Sequence, residues 1–361
     1  MFSSDDHVYM SQALQLAKKG LYSTSPNPRV GCIIVRDNKI VGSGWHAHAG
    51  QHHAEINALN VAREAAQGAT VYLTLEPCHH YGRTPPCVKA LIQAKVKKVV
   101  IAMLDPNPLV AGKGVSFLKH SKINVLVGLM EERAKDLNIG FIYRMTKDRP
   151  WVRMKIAASL DGRIALNNGI SQWITGDAAR YDSHRFRARS CAILTGINTV
   201  LVDDPRLSVR HIETFRQPLR VIVDNRLEIP ITAKIFSGNN ELIFTVSDNK
   251  KKIADLKKIG AHPITLSGID GRVNLKKVFE ILADYEINEV LVEAGGELNG
   301  ALVEAGLIDE LIIYFAPKLI GSTGLGMLRL SELSSLLETY RLKIHDLRMV
   351  GEDIRIIARI V

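Results

Sequence analysis

Residues 74–87, TLEPCHHYGRTPPC, taken with His53-Ala54-Glu55 upstream, assemble the donors of a metal centre from very few side chains. His53, Cys78 and Cys87 are the borderline and soft ligands that suit zinc, and three of them leave the fourth tetrahedral position open. Glu55, two residues past the histidine, is placed to move protons beside that position. Position 81 is Tyr where the commonest spacing would put the second cysteine, so eight residues, 79–86, separate Cys78 from Cys87. Thr84-Pro85-Pro86 reads as an N-cap followed by Pro in a first helical turn, which sets Cys87 near a helix start. Ala54 to Ala66 reads as a second helix, with Ile56, Leu59, Ala62 and Ala66 at helical spacing, and puts His53 and Glu55 at its beginning. The partial positive charge of two helix N-termini helps hold both sulfurs as thiolates, the form that binds zinc.

Plainer readings of the same residues exist. His52, His79 or His80 could complete a closed, purely structural four-ligand site, but such a site leaves no place for water and gives Glu55 nothing to do. Cys78 and Cys87 as simple core thiols would leave the H-A-E and P-C pattern without a purpose. Cys32 and Cys191 lie in the apolar runs GCIIV and SCAILTG and read as small buried hydrophobes. Four cysteines in 361 residues argue for a reducing compartment and against a disulfide framework.

At 361 residues, two domains are the expectation. A hydrophobic content of 46% with 23% charged residues is that of a globular protein. The first residues, MFSSDDHVYM, carry acids where a secretion signal carries Lys or Arg, and no apolar run approaches membrane-spanning length; a cytoplasmic protein with no membrane partner is expected. The net charge of +10 is uneven: up to residue 145 there are 17 Lys plus Arg against 10 Asp plus Glu, and beyond it 30 against 27. The excess therefore sits with the metal motif, where it suits a phosphorylated substrate and equally nucleic acid. Lys95-Val-Lys97-Lys98 reads as a solvated helix-to-strand turn, and no interleaved basic and aromatic stripe of a single-strand binder is visible.

From Asp6 to Lys19 a helical pattern leads through the loop SPNP to strands at 30–36 and 40–45. The metal helix and further strands near 71–75, 99–103 and 125–128 follow, with helices between. This alternation predicts an α/β layer sandwich with the metal residues at strand ends and helix starts. TKDRP, 146–150, is charged and ends in Pro, so domains over 1–145 and 150–361 are expected. The second half starts the pattern again in WVRMKIAASLDGRIA, SCAILTGINTVLVDDPRLSVR, LRVIVDNR, ELIFTVS, INEVLVEAGGELNGALVEAG and DELIIYFAPKLIG, and a second α/β domain follows from it. Gly295-Gly296, between a strand and a helix, can present backbone N–H groups to phosphate, or can be a tight structural turn. Asp203-Asp204-Pro205 can be a capping or turn element, and Lys155 an ordinary strand residue reaching solvent.

These residues converge on a family. HAE (53–55) with TLEPCHHYGRTPPC (74–87) resembles the deaminase half of the bifunctional riboflavin-biosynthesis deaminase/reductases, whose version of the motif has the long cysteine spacer. KIAASLDGRIA (155–165), SQWIT (171–175), GINTVLVDDPRLSVR (196–210), VEAGGELNGALVEAG (292–306) and APKLIGS (316–322) resemble the reductase half. The resemblance implies a cytidine-deaminase-like three-layer sandwich followed by a dihydrofolate-reductase-like α/β domain, a single zinc in the first and NADPH in the second. It implies hydrolytic removal of the 2-amino group of a small phosphorylated pyrimidine, then reduction of its ribosyl group. Asn27 and His46 would contact the deaminase substrate. Ala157, Trp173, Thr199, Asp203 and Gly295, Gly296, Glu297, Leu298, Asn299, Gly300 and Ala301 would line the NADPH site. Ser171, Arg187, Leu207, Arg210 and Glu293 would line the reductase substrate site, where the two guanidinium groups suit a phosphate. Lys155 and Asp203 are the candidates for catalytic polar groups there. A homodimer through the second domain is the family's expectation. Two rivals remain: a tRNA-type base deaminase with an RNA-binding tail, which would need a basic motif that the apolar strands of the second half do not supply, and a zinc-stabilised scaffold without turnover.

Overall fold

The computed structural model describes residues 2–79, 85–108, 110–238, 241–268 and 270–361. The expected N-cap at Thr84 and the alternative ligand His80 lie outside the described residues. Internal contacts separate the chain into two units, Met1–Asp148 and Arg149–Val361.

Unit 1 runs α1 (Ser4–Lys18), β1 (Gly31–Arg36), β2 (Lys39–Trp45), α2 (Ala54–Ala62), β3 (Thr70–Leu73), α3 (Cys87–Gln93), β4 (Lys98–Ile101), α4 (Lys113–His120), β5 (Asn124–Val127), α5 (Glu131–Leu137) and α6 (Ile139–Lys147). The strands lie in the order β2-β1-β3-β4-β5, with β1 antiparallel to both neighbours and β3, β4 and β5 parallel. Ser3 and Asp6 start α1 as a reciprocal capping box. Residues of β1 alternate faces, and helices cover both: a Cβ on Gly31 would meet Ala13 O of α1 at 2.0 Å, while a Cβ on Gly44, opposite Cys32, would meet Ala54 O and Ala58 N of α2 at 2.6 Å. Three layers result, and the small residues set how closely each helix approaches the sheet. The metal helix is shorter than its apolar spacing suggested. It ends at Ala62 because Arg63 turns to φ +49°, and a 3₁₀ turn carries the chain to Ala66. Cys32 is fully buried in this core, as expected, and Lys95–Lys97 do connect α3 to β4.

Unit 2 runs β6 (Trp151–Ser159), β7 (Arg163–Ala165), α7 (Asp177–Arg189), β8 (Ala192–Gly196), α8 (Ile197–Asp203), β9 (Leu219–Val223), β10 (Glu241–Thr245), α9 (Lys250–Lys258), β11 (His262–Thr265), α10 (Leu275–Asp284), β12 (Glu289–Val292), α11 (Gly296–Glu304), β13 (Glu310–Ala316), β14 (Leu325–Gly326), β15 (Leu342–Val350) and β16 (Asp353–Ile360). Nine strands form one sheet, β11-β10-β9-β8-β12-β6-β13-β16-β15, parallel from β11 to β13 and antiparallel at β16 and β15. β12 comes late in the chain yet sits centrally, between β8 and β6. The carboxyl ends of β6, β8 and β12 thus meet where the strand order reverses, the usual ligand position of such sheets. Val152, Met154, Val290 and Val292 enter one core cluster and Ile193, Leu291, Ile312 and Tyr314 another, one on each face. At the opposite end of the strands Arg153, buried, is clamped between Glu289 and Glu310, and Arg189 joins the same Glu289 at 2.8 Å. The edge strand β15 carries a bulge between Ile344 and Asp346. The extra residue there keeps Leu342, Ile344, Leu347 and Met349 on one face despite their odd spacing, and all four are exposed.

Candidate active sites

The metal motif of unit 1 folds as its chemistry requires. His53 is the residue that leads into α2, Glu55 lies in the first turn of that helix, Cys78 follows β3, and Cys87 is the first residue of α3. The α3 helix therefore begins two residues later than the Thr-Pro-Pro signal suggests, with Pro86 in the capping place and no side-chain cap. Its first N–H, that of Cys87, donates to Cys78 Sγ at 3.3 Å, and the next, that of Val88, to Cys78 O at 3.2 Å. A tetrahedral zinc with Zn–S of about 2.3 Å and Zn–N of about 2.0 Å separates S from N by about 3.5 Å. Cys78 Sγ stands 3.6 Å and Cys87 Sγ 3.3 Å from His53 Nδ1, so the donor set fits the ion. Among the described residues this trio is the one group of three such side chains whose ligand atoms all lie within 4.8 Å of one another. The two sulfurs share their acidity. Hydrogen bonding from Cys87 carries Cys78 well below the usual thiol range, and the same contact pushes the Cys87 thiol up.

Glu55 is buried, 3% exposed, and burial lifts its carboxyl to about 7 although the adjacent His53 pulls the other way. A proton can therefore be carried or released there near neutrality. His46 is also buried, and burial lowers its affinity for a proton. Its Nδ1 faces the His52 carbonyl at 3.1 Å and must donate, which leaves Nε2 to accept from the Asn27 amide at 3.0 Å. The His46 ring stands edge-on to His53, centroids 5.3 Å apart. Asn27 and His46, which sequence spacing alone would not have linked, are thus joined to each other beside His53.

Glu76, inside the quoted stretch, has a structural role that the spacing of the motif does not announce. Buried, it accepts the N–H groups of Asp105 at 3.1 Å, Gly112 at 2.9 Å and Val115 at 3.1 Å, and so ties the segment that carries Cys78 to the loop before α4. A carboxylate wedged between Leu75 and Pro77 in an apolar run was the available signal.

In unit 2, Arg187 on α7 grips Glu293, just past β12, in bidentate fashion at 2.5 and 2.8 Å. Lys155 on β6 approaches the same carboxylate at 3.8 Å. Burial would raise Glu293, but Arg187 and Lys155 hold it down at about 2; burial and Arg187 lower Lys155. The lysine is therefore tied into an ion cluster and does not reach freely to solvent. Arg187 Nη1 also donates to Ser208 O at 3.1 Å, which draws Leu207–Arg210 toward α7. Leu207 is buried at φ +45° and Arg210 is exposed. Ser171 donates to Asp203 at 3.2 Å, and Trp173 is 64% exposed beneath the Arg180 guanidinium. Asp203 closes α8, with Asp204 as its C-cap, so this pair ends a helix and does not start one.

Two strand-to-helix junctions, β8–α8 at Gly196 and β12–α11 at Gly295, face each other: a Cβ on Gly196 would lie 3.2 Å from Leu298. Among the described residues, no atom beyond Gly295 and its two chain neighbours lies within 4 Å of the place a Gly295 Cβ would take, leaving the open backbone that a nucleotide phosphate needs. Thr199 and Ala157 are half-buried beside these strand ends. Residues 296–301 are the first turns of α11 and not a loop. Gly296 and Gly300 are packed on the 326–329 segment, where a Cβ on Gly300 would meet Arg329 O at 1.9 Å, and Asn299 donates to Ala294 O and Met327 O. Glu297 is exposed and paired with Arg329.

The family model described as the cytidine and deoxycytidylate deaminase zinc-binding region matches residues 3–103, and that of the RibD C-terminal domain matches 150–356. The riboflavin biosynthesis protein RibD of Escherichia coli is 44% identical over 97% of this chain and 98% of its own length. That of Haemophilus influenzae is 44% identical over 98% and 97%. Among solved structures, form 1 of Acinetobacter baumannii RibD superposes with a TM-score of 0.93 at 45% identity over 99% of both chains. The diaminohydroxyphosphoribosylaminopyrimidine deaminase/5-amino-6-(5-phosphoribosylamino)uracil reductase of Thermotoga maritima superposes at 0.88 with 33% identity, again over 99% of each.

Proposed function

The chain belongs to the RibD family of riboflavin-biosynthesis enzymes, and from that premise we propose how its residues divide the family's two reactions. It is a bifunctional enzyme with a zinc-binding deaminase unit, cytidine-deaminase-like in fold, and a reductase unit. The observation that carries the reading is the convergence of His53, Cys78 and Cys87 beside the buried Glu55.

The deaminase, assigned to 1–145, takes 2,5-diamino-6-ribosylamino-4(3H)-pyrimidinone 5′-phosphate. His53, Cys78 and Cys87 hold the zinc, which when bound supplies Lewis-acid activation of water at neutral pH. Glu55 accepts a proton from the attacking water, delivers it to a ring nitrogen as C2 becomes tetrahedral, and assists the departure of ammonia. The neutral His46, its tautomer fixed by the His52 carbonyl, orients the Asn27 amide toward the pyrimidine. The product keeps its phosphate and its ribosyl group.

The reductase, assigned to 150–361, then opens and reduces that ribosyl group to ribityl. NADPH supplies the hydride when bound. Ala157, Trp173, Thr199, Asp203 and the Gly295–Ala301 segment form its site, with Gly295 and the exposed Glu297 forward and Asn299 and Gly300 holding the helix in place. Arg187, Arg210, Leu207, Ser171 and Glu293 receive the substrate, its phosphate against the guanidinium groups. Lys155 and Asp203 provide polar help at the anomeric carbon. The enzyme acts in the cytoplasm on a small phosphorylated pyrimidine, without nucleic acid or membrane. No helix among the described residues is long and apolar enough to cross a membrane. It assembles as a homodimer, for which the open edge and exposed apolar face of β15 are the supporting surface.

The test offers the diamino precursor first without and then with NADPH and follows mass. Amino-to-oxo exchange comes first and the gain of two hydrogens second; exchange without reduction removes the second half of the reading, and no exchange removes the first.

A further inference from the structure

We propose that His184 is a positioning residue of the reductase unit: it accepts the Arg210 backbone N–H on Nδ1 and thereby aims that arginine at the phosphate of the substrate. The proposal rests on the reading of Arg210 as a phosphate partner and deepens it. No motif singled out His184, yet it is 5% exposed on α7, and Arg210 N lies 3.1 Å from its Nδ1. An N–H can only donate, so Nδ1 is unprotonated and any ring proton sits on Nε2. Burial keeps the ring neutral, and the guanidinium groups of Arg187 on its own helix and of Arg210 opposite reinforce that, bringing it to about 4 against the pull of Glu293 from the end of β12. The neighbouring His211 ring is edge-on at 5.3 Å and adds to the same effect. The acceptor is therefore present throughout the physiological range.

The rest of the 207–211 segment is fastened with equal care. Val209 donates to Gln217 Oε1 at 2.7 Å, and Gln217 Nε2 returns a bond to Val209 O at 3.3 Å, as a neighbouring strand would. Arg187 holds Ser208 O, and Ser208 Oγ accepts from Arg210 Nη1 at 3.3 Å. Leu207 at φ +45° and His211 at φ +65°, both with full side chains, bracket the segment in left-handed backbone, which persists only where the surroundings fix it. A backbone held from both sides with an exposed arginine on it is what recognition of a charged group at a defined distance requires.

The experiment uses the full-length enzyme and measures reduction of the deaminated ribosyl substrate with and without its 5′-phosphate. The score is the preference in kcat/KM for the phosphorylated form, a ratio that an unfolded fraction does not alter. His184→Gln moves the acceptor away from the Nδ1 place and is expected to lower the preference about tenfold, through KM. His184→Asn returns an oxygen close to that place and is expected to recover most of it. Gln217→Leu, which frees Val209 while leaving the imidazole intact, should lower the same preference and serves if His184→Gln folds poorly. Arg210→Gln is the control on the underlying reading. If Arg210→Gln lowers the preference while the Gln and Asn variants of His184 both match the parent, the inference fails and the phosphate reading stands. If both substrates weaken equally in His184→Gln, the histidine is structural only and the inference also fails. If Arg210→Gln itself leaves the preference unchanged, the phosphate reading fails and takes the inference with it.

Discussion

Burial gives Glu55 a carboxyl that can exchange its proton near pH 7, and it stands at the head of the helix that also carries His53. Glu55→Gln keeps the shape of the side chain and removes the exchange. Deamination is expected to fall by about a thousandfold, within the usual range for a lost general acid–base, while metal analysis finds zinc still bound at parent stoichiometry. Loss of zinc together with activity would reassign Glu55 to the architecture of the site. Asp6 is the opposite case. Burial raises it, but the Ser3 backbone N–H, the Tyr72 hydroxyl at 2.7 Å and Lys98 at 3.2 Å outweigh burial and bring it to about 2. A folded-state value below the unfolded one stabilises the protein above the unfolded pKa, and that stabilisation is lost as the pH falls through the folded one. Asp6→Asn should therefore cost about 2 kcal/mol at pH 7. The gap from the parent, read from denaturant unfolding, should close between pH 4 and pH 2.

At the scale of elements, the position of α2 matters as much as the residues it carries. A methyl group on Gly44 would sit 2.6 Å from Ala54 O and Ala58 N and push the helix off β2. Gly44→Ala should cost about 1–3 kcal/mol by overpacking and, because His53 and Glu55 ride on the same helix, weaken zinc retention against a chelator. Unchanged retention would separate helix seating from the metal. Much of this was legible beforehand. The apolar spacing of Ile56, Leu59 and Ala62 gave the helix, and the pairing of H-A-E with P-C pointed to the three donors that the fold brings together, because metal chemistry restricts both residue type and distance. The ends were less legible. Arg63 leaves the helix through a left-handed φ that no spacing announces, and α3 starts at Cys87 because backbone N–H groups turn back onto Cys78, a long-range contact. The roles of Glu76, His184 and Gln217 escaped for the same reason: each is a polar side chain whose partner is backbone, and backbone carries no sequence signature.

Across the whole molecule, the two units have separate hydrophobic cores, and the proposed zinc belongs to one of them. Calorimetry should resolve two unfolding transitions. A strong chelator should lower one by roughly 10 °C or more and leave the other in place, and reduction of a supplied deaminated substrate should survive the treatment. A single transition that shifts as a whole would mean that the units unfold together. For the proposed dimer, Ile344→Lys with Leu347→Lys alters a face that is 59% and 62% exposed in the single chain. Sedimentation should change from dimer to monomer with little change in deamination; a parent that already sediments as a monomer ends the dimer reading.

The place of β12 bears on how such a chain is made. Synthesis proceeds from the amino end, and everything unit 1 needs is encoded by residue 148, before any strand of unit 2 is made. Unit 2 is different, because the first two strands of its nine-stranded sheet, β6 and β8, are separated by a gap that residues 289–292 fill. Until residues 289–292 have left the ribosome, the facing edges of β6 and β8 lack the strand that joins them. The growing chain therefore carries a finished first half and a half-zipped second one, and the interval between them is where helper proteins and premature stops would leave their mark.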